Sequence, residues 1–336
     1  MPSHPRREHD GIGRQCDHCG YPIPQDPHRS DDAAVTFCSS SCLEASEDGG
    51  SIPDPAGYKR VVTGVEPLDA LLLDGLPTDA FVLLSGDEGA RREELLTELV
   101  WRALERNEPA VALTYANPPT AILERFFESG WNVIPSLEND RLRIIDAFTH
   151  RLEDRDSFLD TRTEWTAFLG EVASDAIVEI RDPSDVREVA NGLTRTLGAM
   201  EMSKTGLVTI DSIDEIETLI QEQLIHNFFK DIRATVCKAR YVPIVAGGTT
   251  ARDEGVAVAD EYLFDGIVDL RVTDHAASDT RFTQLGVRKL TTARVRTEWI
   301  TTGYAKHRGL FAVDPPAETH SLADHRTGAQ RMDSPD

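Results

Sequence analysis

Lysine is almost missing from this sequence: six lysines stand against 29 arginines in 336 residues. With 58 acidic and 35 basic residues, the net charge is −23. A deficit of positive charge on that scale argues against generic attraction to a nucleic-acid backbone or an anionic lipid surface, since both depend on a Lys/Arg excess. Long apolar runs are missing too. No stretch approaches the ~18 apolar residues of a membrane-spanning helix. The first fifteen residues hold charges and prolines but no apolar core, so they do not read as a secretion signal. The expectation is a soluble, cytoplasmic protein without membrane or nucleic-acid partners.

The acidic, lysine-poor balance resembles the composition of proteins from salt-loving archaea. At about 1 M salt the Debye length shrinks to a few ångströms, and repulsion between surface carboxylates is screened. An acidic protein from a low-salt cell is the alternative.

Cysteine is scarce, five in all, but four of them are clustered. Cys16 and Cys19 form a Cys-x2-Cys pair, followed by Cys38 and Cys42. Two such knuckles can close a tetrahedral four-cysteine zinc site with Zn–S distances of about 2.3 Å. Pro22, Pro24 and Pro27 fill the intervening loop. A segment of roughly 30 residues buries too little apolar surface to fold unaided, so metal binding would supply its folding energy. Two disulfides are the rival, disfavoured in a reducing cytosol, and redox or heavy-metal sensing is a further alternative. His18 and His28 are stand-in ligands or solvent-facing loop residues. The run Cys-Asp-His-Cys-Gly-Tyr-Pro-Ile-Pro with Phe37, Cys38 and Cys42 resembles small TRASH/YHS-like metal-binding fingers. That likeness covers residues 16–45 and implies metal binding without naming the metal.

Composition divides the rest. Residues 1–15 read as a flexible N-terminus and 16–46 as the cysteine module. Residues 47–58, rich in Ser, Asp, Gly and Pro, read as a linker. Residues 59–314 form the main domain, and 315–336 read as a polar, aperiodic and disordered tail. Within the main domain short apolar runs alternate with helix-period segments. Strands are expected at Phe81–Leu84, Ala110–Tyr115, Leu142–Asp146, Ile177–Ile180, Leu207–Asp211, Pro243–Ala246 and Gly266–Val272. Helices are expected at Arg92–Arg106, Pro119–Ser129, Pro183–Met200 and Ile216–Arg240. This alternation predicts an α/β fold, a mostly parallel sheet sandwiched by helices. Phe282–Lys289 and Val295–Thr302 read as a C-terminal antiparallel hairpin.

The chemistry is expected where the first strand turns into a helix, at Gly86-Asp-Glu-Gly89-Ala-Arg91-Arg92-Glu93-Glu94. A working phosphate loop reads Gly-x4-Gly-Lys-Ser/Thr: glycines expose backbone N–H groups, Lys reaches the β/γ oxygens and the hydroxyl binds Mg²⁺. In register, Gly86 keeps the first glycine position. Arg91 stands at the second, Arg92 at the lysine and Glu93 at the hydroxyl. Asp87, Glu88, Glu93 and Glu94 crowd four carboxylates around the place a polyphosphate would occupy. A helix N-terminus attracts anions by roughly 1 kcal/mol, too little to offset several carboxylates.

The text around this loop resembles KaiC-type ATPases of the RecA superfamily. The resemblance rests on Val62–Pro77 before the loop, Val111–Pro119 as the second strand, Gly130-Trp131 as the following turn and Leu142–Asp146 as the next strand. Val208-Thr-Ile-Asp211-Ser212 resembles the Walker B strand and Tyr262–Val268 a late one. It implies a RecA-like fold over residues 59–314, an ATP/Mg²⁺ site and ring-type oligomers. The paired glutamates that activate water in that family align with Ala116 and Asn117, neither of which is a general base. Asp211 would help hold Mg²⁺; its other reading is a strand-end residue capping the next turn with Ser212. The vestigial nucleotide site therefore comprises Gly86, Gly89, Arg91, Arg92, Glu93 and Asp211, with no catalytic residue.

Arg288, Lys289, Arg294 and Arg296 form a local basic patch that either faces a neighbouring subunit or pairs with carboxylates. Trp101, Trp131, Trp165 and Trp299 read as isolated packing residues, and Cys237 as a buried small hydrophobe. The function expected is a catalytically degenerate, regulatory protein-binding platform, with the zinc finger docking a partner or sensing metal. The alternative is an ATP-binding, slowly hydrolysing oligomer in signalling or DNA transactions.

Overall fold

The computed structural model describes residues 15–18, 23, 27–29, 35–47, 60–249, 261–275 and 280–313. Cys19, the N-terminus, most of the expected linker and the tail lie outside the described residues. The chain divides into two units, residues 1–59 and 60–336.

In the small unit His28–Arg29 pairs antiparallel with Thr36–Phe37, and the helix Ser40–Glu47 follows. Asp17 fastens the turn to this ribbon: its backbone N–H donates to Thr36 O at 2.9 Å, and its Oδ2 accepts from Thr36 N at 2.6 Å. Among the described residues of this unit, Cys16 and Phe37 are the buried hydrophobic side chains, a very small core.

The large unit is built on one ten-stranded sheet. Its strands are β1 (Phe81–Gly86), β2 (Ala110–Thr114), β3 (Leu142–Asp146), β4 (Ile177–Glu179), β5 (Leu207–Ile210), β6 (Ile244–Thr249), β7 (Gly266–His275), β8 (Thr280–Leu290), β9 (Ile300–Ala305) and β10 (Gly309–Ala312). Their spatial order is β10-β9-β8-β7-β1-β6-β5-β2-β3-β4. From β7 through β4 every neighbouring pair runs parallel, whereas β7-β8, β8-β9 and β9-β10 are antiparallel. The principal helices are α1 (Arg92–Glu105), α2 (Pro119–Glu128), α3 (Val186–Ala199), α4 (Ile213–Leu219) and α5 (Glu222–Ile232).

Alternation along the strands supplies both faces. Val82 and Leu84 of β1 join a core with Leu95, Leu96 and Leu99 of α1 and Leu123 and Phe126 of α2. Phe81 and Leu83 face the other way, onto Leu193 and Leu197 of α3 and Phe228 and Phe229 of α5. Successive side chains of a strand point to opposite faces, so a parallel sheet covered on both sides reads as continuous apolar runs. The expected mostly parallel, helix-covered sheet is found, and all seven expected strands are present.

Boundaries differ in two places. The segment expected as a single helix over Ile216–Arg240 breaks at Ile220–Gln221 and ends in a π-helical turn, Arg233–Lys238. Ile220 takes extended dihedrals and is buried, so tertiary packing overrides the helical period. The return strand of the hairpin begins at Ile300 rather than Val295, which makes only an isolated bridge to Leu72. Asp74 holds the intervening turn through Arg294, accepting from its backbone N–H at 3.1 Å and from Nη2 at 2.7 Å. Those bonds hold the Asp74 carboxyl down at about 2.

The tryptophans are not isolated. Trp101 and Trp131 stack with ring centroids 5.8 Å apart and nearly parallel planes. Trp165 is partly exposed beside Phe127 and Phe168, and Trp299 lies under the Arg271 guanidinium at 3.7 Å. Cys237 is fully buried in the π-helical turn.

Candidate functional site

In a parallel α/β sheet the carboxyl ends of the strands and the helix N-termini converge on one edge, where ligands bind. Here that edge carries the turn from β1 into α1. The chain leaves β1 at Gly86, and Asp87 immediately anchors to β7: its N–H donates to Leu270 O at 3.0 Å and its Oδ2 accepts from Val272 N at 3.1 Å. Gly89 has φ of 79° and Arg91 has φ of 61°, both left-handed. The loop thus keeps a conformation in which glycine is at ease and an arginine costs about 1–2 kcal/mol. A cleft of about 500 Å³ lies along Gly86–Glu94 and reaches Thr249 at the end of β6.

Arg92 occupies the first turn of α1 and turns toward β6. Its Nη1 donates to Thr249 Oγ1 at 3.3 Å and lies 3.7 Å from Asp214 Oδ2. Asp214, in the first turn of α4, also accepts from the Thr249 N–H and from the Thr249 hydroxyl at 2.6 Å. The Arg92 cation is therefore matched by an internal carboxylate. Arg92 Nε is buried with no hydrogen-bond partner.

Glu93, expected from the sequence at the position of the Mg²⁺-binding hydroxyl, forms an ion pair with Arg125 of α2 at 2.6 Å. Glu94 stands 3.4 Å from Arg91, whose guanidinium lies over the Tyr304 ring. With Glu93 and Glu94 in the first turn, α1 satisfies its own positive end, which would otherwise attract phosphate.

Asp211 follows β5 and is buried, 8% exposed. Its Oδ1 accepts from Tyr115 N at 2.7 Å and its Oδ2 from Ala116 N at 3.0 Å. Burial pushes its carboxyl up to about 6, against the pull of these two bonds, an Asn117 side-chain bond and Arg125. It clamps β5 to the loop after β2, and the cap of α4 is Ser212, whose Oγ accepts from Glu215 N. Each carboxylate oxygen thus accepts one backbone N–H of the loop after β2. Ala116 and Asn117 sit in the same turn, beside Arg151, which donates to Tyr115 O at 2.6 Å and pairs with Glu215 at 2.8 Å.

The structure brings together Gly86, Gly89, Arg91, Arg92 and Glu93 around one cleft, while Asp211 follows β5, two strands away from β1 across β6, and does not line it. Sequence reasoning missed Asp214, Thr249 and Arg125, which complete the neutralisation. Thr249 ends β6 and Asp214 opens α4 just after β5, on the edge where a parallel order gathers the strand ends. Arg125 carries no local signal, because only helix packing sets it against Glu93. The basic patch is largely consumed locally: Arg288 pairs with Asp269 and Glu261, Arg294 with Asp74, and Arg296 with Glu298, while Lys289 donates to the Glu261 and Phe264 carbonyls.

In the small unit the ligand sulfurs of Cys16, Cys38 and Cys42 lie within 4.8 Å of one another, with Cys38 and Cys42 3.5 Å apart. Sulfurs about 2.3 Å from a tetrahedral zinc stand about 3.8 Å apart, so three thiolates so grouped suit such a metal. No disulfide joins the described cysteines.

Comparison with known proteins agrees with this architecture. The sequence pattern of the KaiC ATPase family matches residues 61–302. A UPF0273 protein of Thermotoga maritima is 30% identical over 155 residues, 46% of this chain and 56% of the relative, so the alignment spans little more than half of that relative's length. A UPF0273 protein of Methanocaldococcus jannaschii is 24% identical over 213 residues, 63% of this chain and 80% of the relative. Among solved structures, a KaiC-like protein of Pyrococcus horikoshii OT3 superposes with a TM-score of 0.58 at 16% identity, covering 76% of this chain and 99% of that one.

Proposed function

The chain belongs to the KaiC family of ATPases, and we propose that it is a member whose nucleotide loop has been closed by its own side chains, leaving a regulatory platform for protein partners. The observation that carries this reading is Arg92 held between Thr249 and Asp214. A phosphate would have to displace an internal carboxylate from the cation meant to grip it. Supporting it, Glu93 replaces a metal-binding hydroxyl and is paired with Arg125, Asp211 accepts two backbone N–H bonds of the loop after β2, and Ala116 and Asn117 offer no base.

The cysteine module would serve the platform as a zinc-stapled docking or sensing finger, with Cys16, Cys38 and Cys42 as three ligands and Cys19, outside the described residues, as the fourth. Bound zinc would supply the folding energy that a core of Cys16 and Phe37 lacks.

A second reading is favoured by the cleft itself, which keeps about 500 Å³ and the left-handed turn. On that reading the chain still binds ATP, without efficient turnover, as an oligomer. Titration of fluorescent ATP with Mg²⁺ in high salt, followed by phosphate-release assays, separates the two. No saturation at millimolar nucleotide is expected. Micromolar binding that Arg92→Ala abolishes would overturn the closed-loop reading.

A further inference from the structure

The segment between β3 and β4, together with Pro118, Pro119 and Thr120 at the start of α2, lines another cleft, of about 290 Å³, remote in sequence from the loop at Gly86. It opens at the carboxyl end of β3, where Asp146 stands, and is walled by Phe158 and by Arg162, between two short helices. Arg162 Nε donates to Leu159 O at 3.1 Å. Among the described residues no carboxylate pairs with its guanidinium, although the chain carries a net charge of −23.

The guanidinium has been given room. Gly170 lies inside the helix Glu164–Val172, and a Cβ there would come within 2.7 Å of Arg162 Nη1. Glycine is a poor helix former, so its place here fits a requirement for close approach rather than for the helix. The other arginine of the cleft is already matched: Arg155 Nη2 donates to Glu179 at 2.7 Å and its Nη1 meets His150 Nε2 at 3.1 Å. Glu179 is thereby occupied, and its carboxyl is held below the ordinary value against the opposing effect of burial by His150 and Arg155. Asp146 is buried, and its Oδ1 accepts from Phe148 N and Thr149 N at 2.9 Å each. An anion entering the cleft would meet Arg162 as partner and Asp146 as a hydrogen-bond acceptor.

We propose that this cleft is a binding site for a small oxyanion-bearing molecule, a carboxylate or a phosphate, whose charge pairs with Arg162 and whose own hydrogen-bond donor faces Asp146. Charge-assisted guanidinium–oxyanion bonds are the strong, directional kind. The site is independent of the loop at Gly86 and of whether that loop holds nucleotide.

Isothermal titration of the full chain with L-serine and with inorganic phosphate, at matched ionic strength, tests it. One saturable site per chain below about 10 mM is expected for one of the probes, and the probe that saturates identifies the oxyanion. Arg162→Gln should weaken that binding at least about tenfold. Gly170→Ala, which crowds the guanidinium while favouring the helix, should weaken it too and serves if Arg162→Gln fails to fold. Arg92→Gln should leave it unchanged. Saturation by neither probe, equal affinity in Arg162→Gln and wild type, or loss in Arg92→Gln would overturn the assignment.

Discussion

Arg92 Nη1 stands 3.7 Å from Asp214 Oδ2 across the end of the sheet, with the Thr249 hydroxyl bonded to both. Arg92 begins α1 and Asp214 lies in the first turn of α4, so the pair joins two helix starts.

Restoring the loop should restore binding but not turnover. The triple change Arg91→Gly, Arg92→Lys and Glu93→Thr removes the Arg125 pairing and returns glycine, lysine and hydroxyl to their positions. The variant should bind fluorescent ATP with Mg²⁺ where wild type does not. Phosphate release should stay at background, because Ala116 and Asn117 remain without a base. Turnover by the triple variant would show that a base lies elsewhere.

Arg91 at φ of 61° predicts a stabilising substitution. Arg91→Gly relieves a left-handed strain of about 1–2 kcal/mol and loses part of that to unfolded-chain entropy. A net gain of about 0.5–1 kcal/mol in urea unfolding is expected. A loss would mean that the contact of Arg91 with Tyr304 outweighs the strain.

Asp211 carries a pH signature. Its folded value near 6 lies above the ordinary 3.8, so the folded state binds this proton more tightly than the unfolded chain. The associated stability is complete below 3.8 and is lost as pH rises through about 6. Between those limits wild type should lose about 3 kcal/mol relative to Asp211→Asn, which cannot ionise. Chemical unfolding of both proteins at several pH values across the interval checks this; a constant difference counts against it.

Glu98 of α1 is fully buried, accepting from Leu310 N at 2.7 Å and from Arg102 Nη2 at 3.1 Å. Burial raises its carboxyl, partly countered by these two partners. Glu98→Ala leaves a buried N–H unpaired and should cost about 3 kcal/mol. Glu98→Gln, which still offers an oxygen to Leu310, should cost distinctly less. Equal losses in the two variants would point to packing instead of the hydrogen bond.

Purified protein should carry close to one zinc per chain, and Cys16→Ser with Cys38→Ser should lose it. Proteolysis of the variant should then cut within residues 1–59 while the large unit keeps its melting transition. Metal content unchanged by the double substitution would remove the finger from the proposal.

Most of the large unit was legible in the residues, because strand and helix periods are local properties of the chain. The seven parallel strands were in place before any contact was known, as was the loop at Gly86. The break at Ile220 was not, since Ile220 leaves the helix to enter a core formed by distant segments. Cys19 was legible as spacing alone and lies outside the described residues.

The sequence by itself determined that Arg91, Arg92 and Glu93 stand in the turn after one expected strand and Ala116 and Asn117 after the next, for these are matters of residue identity in order. Only the tertiary structure decided what those side chains meet. Asp214, Thr249 and Arg125 come from three elements separated by up to 124 positions from Arg125 to Thr249. Whether two charges neutralise one another depends on a distance of a few ångströms, and that distance exists only once the strand ends have been gathered along one edge of the sheet.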